Sequence, residues 1–445
     1  MKSKSKKSRN FLYSFALIVI FILSLKLLSA CNNNSVTTLS FVVSQGEIEY
    51  FKPLVEQFND RHQDIKIKLP DDIKANDSDQ LKEIYKSDFS KELRLYDLIY
   101  LDIVWVPEFA EIQGLLDISK DFPSKELKKE FLESEVNDGM YNNKMYRIPF
   151  RTDMGVLYYR KDLLEQANEE PPKTFDDLLR ISQKVKQQQP DIEYGYLWQG
   201  RKTEAIAAMF VEVLEGYGGF WINTENNQVG LDKPEAIAAV EFLASTIDKG
   251  ISPKSVTTED ENDTRKKFRL GKAVFMRNWP NVWLDANQSG SNVRGKIAIQ
   301  PMVSVPGENS GASKGGWGFG IAKNTKHKKE AVEVIKFLTS AAAQRQFTLG
   351  YGSVPTRRQL FFEPKIVAKY NHYPKLLDII DNKIEDKSVK LVSRPLIAQY
   401  TAASCILQKH LHTALTTEKN STSQEMKKAA QETRQLLKTG KSNCN

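Results

Sequence analysis

Apolar residues recur along this chain with two different periods. Short runs bounded by turn residues, from Ile65 to Leu69, Asp97 to Val104, Met145 to Phe150 and Gly155 to Tyr159, read as strands, as does Leu39-Ser40-Phe41-Val42-Val43. Between them lie stripes of helical period: Ile237, Val240, Leu243, Ala244 and Ile247 share one face, and Ala331, Val334, Ile335 and Leu338 share another. The punctuation agrees with this reading. Thr174 follows Pro171-Pro172 and precedes Asp177 by three residues, which predicts a capping box in which each side chain answers the other's backbone N–H. Asp232 and Pro234 open a helix that Gly250 closes, and Pro395 to Lys438 reads as two further helices broken near Asn420. Strands alternating with helices are the signature of α/β domains. No internal repeat or low-complexity block interrupts the pattern.

The N-terminus breaks the pattern. Lys2, Lys4, Lys6, Lys7 and Arg9 run into an apolar stretch from Phe11 to Leu25, the arrangement of a secretion signal. Lys26 interrupts the stretch before it reaches the length of about 20 residues that a membrane span needs. It closes with Leu28-Ser29-Ala30-Cys31, which resembles the lipobox of bacterial lipoproteins. A signal of residues 1–30, lipidation at Cys31 and a polar tether over 31–38 are therefore expected.

That segment changes how the charge is understood. The formal net charge is +8, but six basic and no acidic residues lie in the first thirty, so the remaining chain is at +2. No dense Lys/Arg run with interleaved aromatics occurs there, so nucleic acid is not an expected partner. Outside the cytoplasm Cys405 and Cys444 could pair, yet Cys405 sits in an apolar helical stretch where a buried thiol is equally reasonable. The five histidines are scattered, with no His-Glu-x-x-His, and no metal or cofactor is expected. The Gly-x-x-x-x-Gly-Lys-Ser/Thr loop of ATPases is absent from the sequence.

Several motifs carry a resemblance. Met145-Tyr146-Arg147-Ile148-Pro149-Phe150-Arg151-Thr152-Asp153-Met154-Gly155 is followed by Pro172-Lys173-Thr174-Phe175, then Leu270-Gly271-Lys272-Ala273-Val274-Phe275-Met276-Arg277-Asn278-Trp279-Pro280. Gly315-Gly316-Trp317-Gly318-Phe319-Gly320 and Ser393-Arg394-Pro395 complete the set. In this order they resemble the family 1 extracellular solute-binding proteins, the maltose-, trehalose- and glucosylglycerol-binding components of ABC importers. The resemblance implies an α/β fold of two lobes, the type II periplasmic-binding-protein fold, crossed three times by the chain. Residues 39–148 and 295–340 would form lobe one, with 149–294 and 341–445 forming lobe two.

A neutral sugar presents C–H patches, which aromatic faces cover, and hydroxyl groups, which carboxylates and guanidinium groups grip. The resemblance assigns stacking to Trp279 and Trp317, and hydroxyl binding to Glu47, Asp102, Asp153 and Arg394. For Glu47 and Asp102, exposed loop acids are an equal alternative. Gly316 would let the backbone approach the ligand. Trp105, Tyr217 and Trp221 are further candidates. Relatives tend to carry an aromatic residue where this chain has Arg151, which favours a smaller or more polar α-glucoside such as glucosylglycerol and leaves trehalose, sucrose and maltose open.

The resemblance, with the lipobox-like N-terminal segment, implies a monomeric, lipid-anchored carrier on the extracytoplasmic face of the membrane. It would close around its ligand and deliver it to an ABC permease driven by a separate ATPase subunit. The alternative is a secreted glycoside hydrolase, since paired carboxylates flanked by tryptophans also describe a glycosidase cleft.

Overall fold

The computed structural model describes residues 36–445 apart from 71, 92, 94, 382–388, 418–420, 443 and 445. The expected signal segment and Cys31 lie outside the described residues.

Two sheets anchor the two lobes. Lobe one rests on a five-stranded sheet in the order Val354–Pro355, Ile148–Met154, Ser310–Ile321 and Val389–Ser393, with Leu98–Asp102 also paired to Ser310–Ile321. A parallel pair, Thr37–Ser40 and Ile65–Lys68, extends this lobe. Lobe two rests on a four-stranded sheet of Ile297–Gln300, Val156–Arg160, Ala273–Asn278 and Tyr194–Leu197.

Three passages of the chain join the sheets. Strand Ile148–Met154 of the first sheet runs into Val156–Arg160 of the second with Gly155 alone between them. Strand Ile297–Gln300 of the second sheet leads back to the long strand Ser310–Ile321 of the first. After Val389–Ser393, the chain enters helices Tyr400–Thr416 and Thr422–Thr439, which pack on helices Glu204–Gly216 and Pro234–Asp248 of lobe two. Residues from all three passages lie side by side in one sheet.

The helices follow their sequence signals with informative exceptions. Thr174 caps Phe175–Gln188 through the predicted box with Asp177, a device worth about 1 kcal/mol. Ala331, Val334, Ile335 and Leu338 are fully buried on helix Lys328–Leu338. On Pro234–Asp248 the buried face is instead Ala236, Ala239, Val240, Phe242, Leu243 and Thr246, because the C-terminal helices cover a neighbouring stripe as well. The cap of this helix is Lys233, and Asp232 binds Arg434 across to the last helix. Cys405 and Cys444 form a disulfide, tying the chain's end to helix Tyr400–Thr416.

One boundary moves. Helix Ala341–Tyr351 packs on Ile48–Arg61 of lobe one, with Phe51 and Phe347 ring centroids 4.8 Å apart and Gln57 Nε2 donating to Gln346 Oε1 at 2.6 Å. Residues 341–351 therefore sit with lobe one, beyond the limit at 340 expected from sequence, because their aromatic face completes that lobe's core.

Candidate functional site

The lobes enclose a cavity of about 440 Å³. Strand periodicity explains who faces it. In the first sheet, Trp317 lies opposite both Arg151 and Asp102, and Gly315 opposite Asp153. Cross-strand partners and residues two apart share a face of the pleat, so Arg151, Asp153, Asp102 and Trp317 emerge together into the cavity. Val389–Ser393 and Leu98–Asp102 occupy the same edge of the long strand, ending opposite Lys314 and Trp317 respectively. Arg394, the residue after that end, is thereby delivered to Asp102.

Two arginine clusters result. Arg394 Nη2 donates to both oxygens of Asp102, at 3.1 and 3.0 Å, and Nη1 donates to Glu204 Oε1 at 2.7 Å. Glu204 is the first residue of helix Glu204–Gly216 in lobe two, so this guanidinium bridges the lobes. Tyr400 and Ser404 also donate to Glu204, and its backbone N–H donates to Asp79 Oδ2 of lobe one at 2.9 Å. In the second cluster Arg151 Nε donates to Glu47 Oε1 and to the Tyr100 hydroxyl, each at 3.0 Å, and Nη1 donates to Asp153 Oδ2. Tyr100 donates to Glu47 Oε1 and Ser44 to Glu47 Oε2. Burial pushes the Asp153 carboxyl up to about 7, against the opposing pull of Arg151.

The tryptophans come from opposite lobes and both are half-buried. Trp317 stacks on Tyr100 with centroids 4.9 Å apart and touches Trp105 edge-on at 5.2 Å. Trp279 follows strand Ala273–Asn278, and its indole N–H donates to Glu261 Oε1 at 3.2 Å. Burial raises the Glu261 carboxyl above its ordinary range.

The eight principal residues expected from sequence thus border one cavity: Glu47, Asp102, Arg151, Asp153, Trp279, Gly316, Trp317 and Arg394. Gly316 has a different reason for being glycine than close approach of a ligand. A Cβ there would stand 2.9 Å from Glu135 Oε2 and 3.2 Å from Arg147 Nη2, a buried ion pair behind the sheet. The three further candidates do not border the cavity. Trp105 is buried behind Trp317, Tyr217 stacks on Phe175 at 4.8 Å in the core of lobe two, and Trp221 is buried against Tyr400.

Residues the sequence reading missed are mainly acidic. Asp79, Glu204, Asp260, Glu261 and Asp285 line the cavity, as do Tyr50 and Tyr351. Glu204 had a legible signal: it begins a helix in which every residue is buried, where a charge needs a partner. Among the described residues, nine carboxylates and four arginines face the space. Such a lining repels anions and offers many acceptors to hydroxyl donors.

Residues 44–345 match the family of bacterial extracellular solute-binding proteins. A probable ABC transporter-binding protein of Deinococcus radiodurans is 28% identical over 312 residues, covering 69% of this chain and 73% of that protein. A maltotriose-binding protein of Pyrococcus abyssi is 27% identical over 59% of this chain, which spans 55% of that protein. Among solved structures, maltose-bound MalE3 of T. maritima aligns with a TM-score of 0.82 and 32% identity, over 90% of this chain and 100% of that one.

Proposed function

Because the chain belongs to the bacterial extracellular solute-binding proteins, a family of binding proteins and not enzymes, we propose that it carries a neutral α-glucoside or disaccharide for an ABC importer. The observation that bears this reading is the meeting, in one cavity of about 440 Å³, of Trp279 and Trp317 from opposite lobes amid an excess of carboxylates. An uncharged sugar can lay its C–H faces on both indoles while its hydroxyls donate to Glu47, Asp102 and Asp153. Each lobe supplies one indole and only part of the hydroxyl-binding set, so the ligand is gripped on both sides only when the half-sites meet, and binding favours the closed arrangement. The permease would then distinguish the closed, loaded form from the open one.

Ligand size and polarity narrow the choice. Arg151 lies 5.4 Å from the Trp317 ring centroid and 5.8 Å from that of Tyr351, so part of the aromatic surface is shared with a guanidinium. A glucosyl-polyol or compact disaccharide such as trehalose, sucrose or maltose suits this mixture better than a long oligosaccharide. Anchoring by lipid at Cys31 would keep the monomeric carrier beside its permease on the extracytoplasmic face.

Titration calorimetry of residues 32–445 against glucosylglycerol, trehalose, sucrose and maltose tests the reading. Micromolar or tighter binding of at least one, recovered chemically intact, is expected; absence of binding to all four defeats it. Membrane fractionation of the Cys31→Ser variant tests the anchor, which predicts release into the soluble fraction.

A further inference from the structure

Trp279 is held from behind by a cation. The Arg277 guanidinium carbon lies 4.1 Å from the Trp279 ring centroid; Arg277 is fully buried, whereas Trp279 borders the cavity. A planar guanidinium laid on an indole is attracted to the ring's negative face, and the attraction strengthens as water is excluded. The cation therefore backs the side of the ring turned away from the ligand space.

Arg277 is itself gripped from three directions. Its Nε donates to Glu212 Oε2 at 2.9 Å, Nη2 to Glu212 Oε1 at 2.5 Å and Nη1 to Gln199 Oε1 at 3.2 Å. Glu212 Oε1 also accepts the backbone N–H of Ser313 at 3.2 Å, in the long strand where the chain returns to lobe one. The same oxygen fills the place of a side chain at Gly155, where a Cβ would stand 1.5 Å from it. One carboxylate thus touches the first and second passages between the lobes and holds the arginine that backs the indole.

We propose that Arg277 is a positioning residue that fixes Trp279 as a stacking platform, and that Glu212 ties this platform to two interlobe passages so that hinge and platform move together. The proposal rests on the reading that Trp279 stacks on a sugar. It assigns affinity to two residues that never touch the ligand.

A double-mutant cycle on the full secreted chain tests it. Arg277→Lys preserves the charge that Glu212 needs but loses the flat surface. Affinity for whichever neutral sugar the wild type binds should fall about tenfold. In a Trp279→Ala background the same substitution should change affinity less than about twofold, because the group through which it acts is gone. Unchanged affinity in the first background, or equal losses in both, overturns the proposal. If Arg277→Lys does not fold, Glu212→Gln replaces it in the same cycle with the same two outcomes. If the wild type binds no sugar, the functional reading fails separately, and the platform is tested without ligand. Acrylamide quenching of Trp279, obtained by difference from Trp279→Phe, should then rise in Arg277→Lys; unchanged quenching refutes the positioning role.

Discussion

In the proposed reading the two tryptophans share one task, and they stand on two unlike supports. Trp317 belongs to an aromatic core: it stacks on Tyr100, touches Trp105, and Tyr100 in turn packs on Phe51, Phe150 and Phe319. Trp279 stands on a buried polar network of Arg277, Glu212, Gln199 and Glu261. Ring-on-ring packing gains from apolar burial and pays no desolvation of charge. A buried ion pair is costly to desolvate and strongly destabilising to break, but it holds groups at fixed angles and can reach across a hinge. The lobe-one half-site is accordingly part of its lobe's stability, and the lobe-two half-site is a device mounted on its lobe.

The most damaging change strikes where the halves meet. Arg394→Ala leaves Asp102 and Glu204 facing each other without the guanidinium, a loss of about 3–5 kcal/mol for a buried cluster of this kind. Calorimetry should show affinity lower by about a hundredfold or more, and thermal melting should fall as well. Retention of wild-type affinity would mean that the lobes do not need this bridge.

Next in size are the platforms themselves. Trp279→Ala should lower affinity about tenfold to a hundredfold with little change in melting temperature, as expected of a cleft-side aromatic anchor. Trp317→Ala should lose both affinity and about 3 kcal/mol or more of stability in chemical denaturation, because a cavity opens beside Tyr100 and Trp105. Equal stability losses for the two variants would erase the contrast.

Acidity sharpens it further. The Asp153 carboxyl ordinarily titrates near 3.8, and burial lifts it to about 7 in the folded protein. Between those values the folded state holds a proton that the unfolded chain has lost. Its contribution to stability is complete below pH 3.8 and disappears as pH rises through 7. Melting temperatures of Asp153→Asn measured from pH 5 to 8 should therefore decline less with pH than those of the wild type.

The smallest effect on binding is expected from the disulfide. Cys405 and Cys444 are 39 residues apart, and closing such a loop is worth about 4 kcal/mol to the folded state. Reduction should lower the melting temperature yet leave sugar affinity within about twofold, since neither cysteine borders the cavity. A large loss of affinity on reduction would show that the platform of lobe two depends on its C-terminal helices.

Local rules carried much of this molecule. The capping box at Thr174, the stripe of helix Lys328–Leu338 and the strands on either side of Gly155 follow from periodicity and side-chain hydrogen bonding that operate within a few residues. Motif order was enough to bring Trp279, Trp317, Asp153 and Arg394 to one list, because each stands at a strand end or on a strand face. The aromatic candidates Trp105, Tyr217 and Trp221 show the limit of that approach. Tryptophan and tyrosine fill cores as readily as clefts, and only packing decides which.

What the sequence by itself determined, then, was the α/β alternation and the kinds of side chain available to a sugar. Tertiary structure alone decided the partnerships: that Arg394 spans Asp102 and Glu204, that Gly316 is small for the sake of a buried Glu135–Arg147 pair, and that helix Ala341–Tyr351 belongs to lobe one. The reason is separation along the chain. Asp102 and Arg394 are 292 residues apart, and no local propensity encodes which strand ends will meet on a shared edge; that follows from register, which burial of whole faces selects.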